Sequence, residues 1–510
     1  MKKVIKGLLT VTTIITLGAC SSDTSQKASS NSSTKETTEV SSGASVQAYT
    51  NPSEMKDSYD IVIVGAGGAG MAAAIEASDA GLNPVIFEKM PVAGGNTLKS
   101  SSGMNASETK FQEEEGITDS NDAFYEETLK GANGTNDKEL LRYFVDHSAD
   151  AIHWLDQNGI KLDNLTITGG MSEKRTHRPS DGSAIGGYLV DGLLRNVHER
   201  NIPIFVNTEV KDIKKTDGIV NQVTVQVQGE EPKDITGKAI VVTTGGYGAS
   251  EELINSYRPD LKGYVTTNQI GSTGDGIKMI ENLGGQTVDM DKIQIHPTVQ
   301  QDEGVLIGEV VRGEGAILVN QAGERFVNEM NTRDKVSAAI TALPEKSAYL
   351  IFDQGVRDRA TAIEFYDEKG YVTAGESIEE LAEKIQLPSE TLAKTVTTWN
   401  EEVANKEDTA FGRTTAMDND LSKPKYYAIK IAPGIHYTMG GIKINTNTEV
   451  LDKEEQPITG LYAAGEVAGG LHGENRIGGN SVAEIIIFGR QAGQQAAQFA
   501  FDRIETLRSE

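Results

Sequence analysis

An apolar β-branched run, Tyr59-Asp-Ile-Val-Ile-Val, drives straight into a glycine-rich turn, Gly65-Ala-Gly67-Gly-Ala-Gly70, and a second apolar run, Pro84-Val-Ile-Phe, closes on Glu88. A parallel strand buried on both faces needs a run of this kind. Gly65 allows the tight turn after it, Gly67 lets the backbone approach a pyrophosphate, and Gly70 lets the next helix pack on the strand. The phosphates would rest on the N-terminus of a helix through Met71-Ala-Ala-Ala-Ile-Glu, and Glu88 would bind a ribose hydroxyl. Glycine spacing alone says little in a chain with 54 glycines. The strand before the turn, the helix after it and the acid at the right distance together predict a dinucleotide site.

Three further segments narrow the choice of dinucleotide. Lys89-Met-Pro-Val-Ala-Gly94-Gly95-Asn96-Thr97 and Ser101-Ser-Gly103-Met104-Asn105 follow Glu88, and far downstream come Gly460-Leu-Tyr-Ala-Ala-Gly465-Glu466-Val467 and Gly478-Gly479-Asn480-Ser481. A nicotinamide enzyme has no need of them. In order and in letters they resemble the flavoprotein subunits of the fumarate reductase and succinate dehydrogenase superfamily. The resemblance implies non-covalent FAD held by Gly65, Gly67, Gly70, Glu88, Lys89, Gly95, Asn96, Thr97, Gly103, Met104, Asn105, Glu466, Asn480 and Ser481. In that family the late Gly-Glu segment contacts the cofactor and the Gly-Gly-Asn-Ser turn starts a helix near the flavin ring.

A net charge of −26 over 510 residues argues against nucleic-acid or polybasic membrane contacts. An anionic substrate would need a locally cationic pocket. The N-terminus carries Lys2, Lys3 and Lys6, then an apolar stretch over 7–17 that is too short to span a membrane. It ends in Leu17-Gly18-Ala19-Cys20, which resembles a bacterial lipobox and makes Cys20, the only cysteine, the expected lipidation site. A single cysteine excludes disulfides, Cys-ligated iron–sulfur clusters and Cys-x-x-Cys-His haem attachment within this chain. No metal-ligating set is expected. The mature protein is therefore expected on the outer face of the bacterial cytoplasmic membrane, held by lipid.

The expected fold class is α/β: a Rossmann-like FAD-binding domain in two sequence segments with an inserted α+β capping domain. The boundaries read as a signal peptide at 1–20, a Ser/Thr-rich tether at 21–57, FAD-binding segments at 58–291 and 436–510, and a capping, substrate-binding domain at 292–435. Helices are predicted over 138–158, 189–200 and 389–405, a strand over 204–206, another through Ala239-Ile-Val-Val, and a capping box at Ser377-Ile-Glu-Glu380.

Five basic residues stand in recognisable settings: His296 in Gln294-Ile-His-Pro-Thr298, Arg312 in Gly308-Glu309-Val-Val-Arg312, Arg333 in Asn331-Thr-Arg-Asp-Lys, His436 in His436-Tyr-Thr-Met-Gly-Gly441, and Arg476 in His472-Gly-Glu-Asn-Arg476. From Tyr59 onward the chain resembles the soluble flavocytochrome-type fumarate reductases, without their haem domain. The resemblance implies that Arg333 protonates the substrate carbon, that Glu309 and Arg312 relay the proton, that His436 and Arg476 bind one substrate carboxylate, and that His296 binds the other. The chemistry requires groups of this kind. Reducing an activated C=C takes a hydride to one carbon, a proton to its neighbour, and cations that absorb charge developing on the conjugated carboxylate.

Gly308 departs from the resemblance, because fumarate-reducing relatives carry a threonine there. Fumarate is the leading substrate, with other 2-enoates of the urocanate, acrylate or cinnamate type as alternatives, and a non-catalytic flavin electron-transfer lipoprotein as the rival outside enzymes. For electron entry, Glu39-Val-Ser-Ser42-Gly43-Ala44-Ser45 resembles the motif on which flavin transferases attach FMN, with Ser45 as acceptor and Glu in place of the usual Asp. FMN on that tether could swing between a membrane donor, quinol-linked or an extracellular flavin system, and the FAD.

Overall fold

The computed structural model describes residues 49–509; Cys20 and Ser45 lie outside the described residues. A six-stranded sheet forms the frame, in the order Glu449–Leu451, Pro457–Ala463, Ala239–Val242, Ile61–Val64, Pro84–Phe87, Ile204–Phe205. All neighbouring strands are parallel except the antiparallel edge pair Glu449–Leu451 and Pro457–Ala463. Ile61–Val64, Pro84–Phe87 and Ala239–Val242 are buried at every residue, as strands covered on both faces must be.

Helix Gly68–Asp79 follows the first strand, and its Ala-rich sequence lets another helix come close. That partner is the last helix, Asn480–Ser509. A Cβ on its Gly489 would lie 2.7 Å from the Ala69 carbonyl oxygen, and one on Gly493 would lie 2.4 Å from that of Ala73. Both helices begin at glycine-rich segments, so their contact brings those two segments, distant in sequence, to one place.

A second sheet is antiparallel, in the order Ile293–Val299, Tyr426–Thr438, Ala348–Asp353, Ile317–Val319, with Val372–Gly375 pairing Tyr426–Thr438. Buried apolar residues fall into two clusters. One joins Tyr59 through Ile293 to Ile435 through Ala500, and the other runs from Ile307 to Ile431. Tyr426–Thr438 runs from the second cluster into the first: Ile429 and Ile431 pack in one, Ile435 in the other. Ile293–Val299 lies beside it at the same junction, with Ile293 paired to Thr438.

Some local expectations shift. The helix predicted over 138–158 is two, Lys138–Asp146 and Ser148–Gln157, with His147 between them. The helix at 189–200 starts earlier, at Ile185–Glu199, and the strand at 204–206 is only Ile204–Phe205. The capping box at Ser377 is half formed. Ser377 accepts from the Glu380 N–H, but the Glu380 carboxylate takes the Glu376 N–H. Residues 49–57, placed in the tether by composition, lie on the fold: the Thr50 N–H donates to Ile204 O at 3.0 Å and the Tyr49 hydroxyl accepts from the Ala93 N–H at 3.0 Å. Thr50 occupies the open edge of the parallel sheet, where unpaired strand groups would otherwise face water.

Candidate active site

Of the four glycines in the first turn, only one leaves room for a side chain. Gly65 has φ +107°, and a Cβ there would lie 2.5 Å from the Thr243 carbonyl oxygen; one on Gly70 would lie 2.0 Å from Gly65 O. At Gly67 the nearest atom is Thr97 Oγ1 at 3.9 Å, so space opens where a phosphate would meet the N-terminus of helix Gly68–Asp79. Thr97 ties the second glycine loop to the first by accepting the Gly68 N–H at 3.0 Å. Glu88 accepts from the Ala66 N–H at 2.9 Å through Oε2 and from the Met90 N–H at 2.8 Å through Oε1, and each oxygen keeps a lone pair. Lys89 pairs with Asp275 and donates to Thr273 at 2.7 Å.

Around this cradle the other expected cofactor residues interlock. Gly95, at φ +51°, has nothing within 4 Å of its Cβ position. Asn96 donates to Asn268 at 2.6 Å and to Glu466 at 3.3 Å. Burial pushes the Glu466 carboxyl up to about 7, although the Thr438 N–H donates to it. Asn105 donates to Gly478 O and to Asn480 Oδ1, both at 2.7 Å, and a Cβ on Gly103 would lie 2.3 Å from His177 O. Met104 is fully buried, and Ser481 is half-buried in the first turn of the last helix. Asn480 keeps a buried amide nitrogen with no partner. Open space at a helix N-terminus, an unpartnered amide donor and buried carboxylates with lone pairs to spare fit FAD.

Next to the cradle, the two strands crossing between the apolar clusters carry a cationic pocket. Gln294 and His296 alternate along Ile293–Val299 and so share one face, and a bulge follows His296. His296 is fully buried, and its Nδ1 accepts the Thr298 N–H at 3.2 Å, which puts the ring proton on Nε2. That Nε2 has no partner. His436 stands edge-on to it, ring centroids 5.3 Å apart, with Nδ1 2.7 Å from the Thr267 hydroxyl. Burial first, and then the nearby Arg333 charge, hold both imidazoles well below their usual pKa, so both are neutral near pH 7.

Arg333, the first residue of helix Arg333–Thr341, meets Glu309 at the start of the short helix Val310–Gly313. Its Nη1 donates to Gln294 Oε1 at 3.0 Å. Burial would raise the Glu309 carboxyl, but the Arg333 charge and hydrogen bonds, with Arg312 behind, hold it well below the usual carboxylate range. Thr168 donates to the same carboxylate at 2.9 Å. A Cβ on Gly478 would lie 2.0 Å from Glu309 Oε2, so only glycine lets that loop close over the pair. Arg312 is buried with its Nη2 3.7 Å from Glu309 Oε1; its Nη1 donates to Glu329 O at 2.7 Å, while Nε and Nη2 make no hydrogen bond.

Arg476 has no carboxylate within ion-pair distance among the described residues, and its Nε and Nη2 lack partners. Its guanidinium lies 4.2 Å from the centre of the Tyr437 ring, whose hydroxyl donates to Glu484; Glu484 also meets His472 Nε2 at 3.0 Å. Burial lowers the Arg476 pKa to about 10, which still leaves it charged. A buried guanidinium without a counter-ion costs several kcal/mol, a cost that an arriving carboxylate relieves.

The structure thus brings Glu309, Arg312, Arg333, His296, His436 and Arg476 together. Gln294, Thr168, Tyr437 and Glu484 also belong to this constellation. Gln294 bridges Arg333 to the carbonyl of Arg476, its amide donating there at 2.6 Å. Its place two residues before His296 on a strand was the available signal for it.

Comparison with known proteins agrees with this geometry. A family described as "FAD binding domain" matches residues 60–482. The chain is 54% identical to NADH:fumarate oxidoreductase of Klebsiella pneumoniae over 87% of its length, but spans only 48% of that relative. It is 42% identical to fumarate reductase (cytochrome) of Shewanella frigidimarina, covering 87% of this chain and 78% of the relative. A solved flavocytochrome c3 fumarate reductase in its open conformation superposes with a TM-score of 0.73 at 41% identity, covering 88% of this chain and 80% of that one.

Proposed function

Because the chain belongs to the FAD-binding flavoprotein family that includes the fumarate reductases, we propose that it reduces the C=C bond of an unsaturated carboxylate, with fumarate to succinate as the leading reaction. The observation that carries this is the Arg333–Glu309 pair set beside two neutral imidazoles and an Arg476 that lacks a counter-ion. FAD, when bound, supplies the hydride.

The chain's own residues supply the rest. His296 Nε2–H and the unpartnered nitrogens of Arg476 donate to substrate carboxylate oxygens, and they tighten as negative charge grows on the conjugated acid. Arg333 gives a proton to the substrate carbon. An arginine, whose pKa exceeds about 12, serves as an acid only if its proton is replaced at once. Glu309 is bound to it in two places and Arg312 stands behind, which suits a relay. A mere electron carrier has no use for such a pocket. The lipid anchor at Cys20, the site outside the cytoplasmic membrane and FMN on Ser45 belong to the same proposal and rest on sequence alone.

Oxidation of reduced viologen by the purified protein, followed with fumarate and a series of other enoates, tests the proposal. Turnover with at least one enoate is expected; flavin-loaded protein that reduces none of them overturns it.

A further inference from the structure

Resting on the enoate-reductase reading of this pocket, we infer that Tyr437 is a positioning residue for the reaction: its ring, fixed by Glu484 and His472, stands under Arg476 in place of a counter-ion and leaves the in-plane donors of the guanidinium free for a substrate carboxylate. The guanidinium carbon lies over the ring, 4.2 Å from its centre, and both residues are buried. Around the guanidinium edge only Nη1 is engaged, donating to Ile477 O at 3.2 Å, while Nε and Nη2 have no partner. A carboxylate of the protein would take those same N–H groups, and an arriving substrate would have to displace it. An aromatic face attracts the cation through its π cloud and takes none of them, and the attraction is strongest where water is excluded.

The ring is fixed at its tip, its edge and its backbone. Burial, and then the Glu484 charge, hold the Tyr437 phenol well above its usual pKa, so the hydroxyl keeps its proton and donates it to Glu484 Oε2. His472 Nε2 meets the same oxygen at 3.0 Å, and its ring stands edge-on to Tyr437 with centroids 5.5 Å apart. Along the sheet, Tyr437 pairs with Gln294, whose amide donates to Arg476 O at 2.6 Å. One cross-strand pair thus holds Arg476 at both ends, Gln294 by the carbonyl and Tyr437 by the guanidinium. Gln294 faces Tyr437 and Ile295 faces Ile435, so His436 is the extra residue of a bulge. A bulge re-aims side chains, and this one lets two successive residues, His436 and Tyr437, serve one pocket. Glu484 sits one turn into the last helix, Asn480–Ser509, so its bond to Tyr437 also ties the substrate anchor to the element that starts beside the cofactor cradle.

A double-mutant cycle on kcat/KM tests the role, using FAD-loaded protein, reduced viologen and fumarate or whichever enoate the wild type reduces best. Tyr437→Leu removes the ring face and should lower kcat/KM about thirtyfold, with KM raised and FAD content kept. Tyr437→Phe keeps the face, loses only the hydroxyl bond, and should cost about threefold. In the Arg476→Met background, Tyr437→Leu should cost less than about twofold, because the group through which the ring acts is gone. Should Tyr437→Leu not fold, Tyr437→Phe carries the cycle, and its smaller loss should likewise vanish without Arg476. Equal losses with and without Arg476, or a Phe variant as impaired as the Leu variant, overturn the role and leave the enoate-reductase reading standing. A flavin-loaded wild type that reduces no enoate overturns that reading and this inference with it.

Discussion

Arg333 and Glu309 meet along two edges, Nε to Oε1 at 2.8 Å and Nη2 to Oε2 at 3.1 Å, so the plane of the proposed acid is set by its own partner. Replacing either should be severe. Arg333→Ala and Glu309→Gln should each lower kcat about a hundredfold or more while FAD content stays near wild type. Arg333→Lys should not rescue, since an ammonium cannot reproduce the fork. Near-normal turnover in flavin-loaded Arg333→Ala would sink the assignment.

Arg476 is expected to act on both bound substrate and transition state. Arg476→Met should raise KM and lower kcat together, because a charge-assisted contact that strengthens as charge develops serves both. A change confined to flavin affinity would move Arg476 to the cofactor site.

Gln294 connects the acid to the anion-binding loop. Gln294→Leu strands Arg333 Nη1 and the Arg476 carbonyl in a buried place, so kcat should drop about tenfold with the flavin spectrum kept. Unchanged kcat with a lowered Tm would make Gln294 a packing residue only.

Acid should weaken the flavin-free protein. His177, held down to about 4 by burial, and His296 and His436, also depressed, bind protons first in the unfolded chain as pH falls through about 6.5. Stability therefore drops below that pH, for His177 down to about 4. Glu466, raised to about 7, and Glu88, Asp289, Asp353 and Glu402, also raised by burial, protonate first in the folded state and offset part of this loss. Urea unfolding at pH 7 and pH 5 should show a lower free energy at pH 5; an equal or higher value would mean that these imidazoles are not buried as described.

Gly70→Ala places a methyl 2.0 Å from the backbone oxygen of Gly65, which cannot give way, with the Thr243 side-chain Oγ1 at 2.6 Å. The variant should purify without flavin, or not at all. Stoichiometric FAD in a soluble Gly70→Ala protein would mean that the turn can relax.

The Rossmann-like frame was legible because the sequence periods that produce it are local: a four-residue β-branched run, glycines at steric pinch points, an acid at the end of the next strand. That six distant residues would cluster was expected through resemblance, and nothing in their spacing could show that Arg333 closes on Glu309 rather than on Asp334 beside it. Thr168 and Glu484 gave no signal at all. Each acquires meaning only from neighbours far away in the chain, as when Glu484 takes the hydroxyl of Tyr437. The break at His147 was likewise hidden, because apolar spacing continues across it on both sides.

The parallel sheet sets Ile61–Val64 beside Ala239–Val242, and that strand beside Pro457–Ala463. During synthesis, the first strand waits for a sheet member that emerges roughly 400 residues later, on the order of tens of seconds at ribosomal speed. The antiparallel unit between them is continuous in sequence and can collapse on its own meanwhile. Until then the half-built sheet shows fully apolar strands with one open edge, the kind of surface that pairs with other chains, so the last parallel strand closes a hazard as well as the flavin cradle.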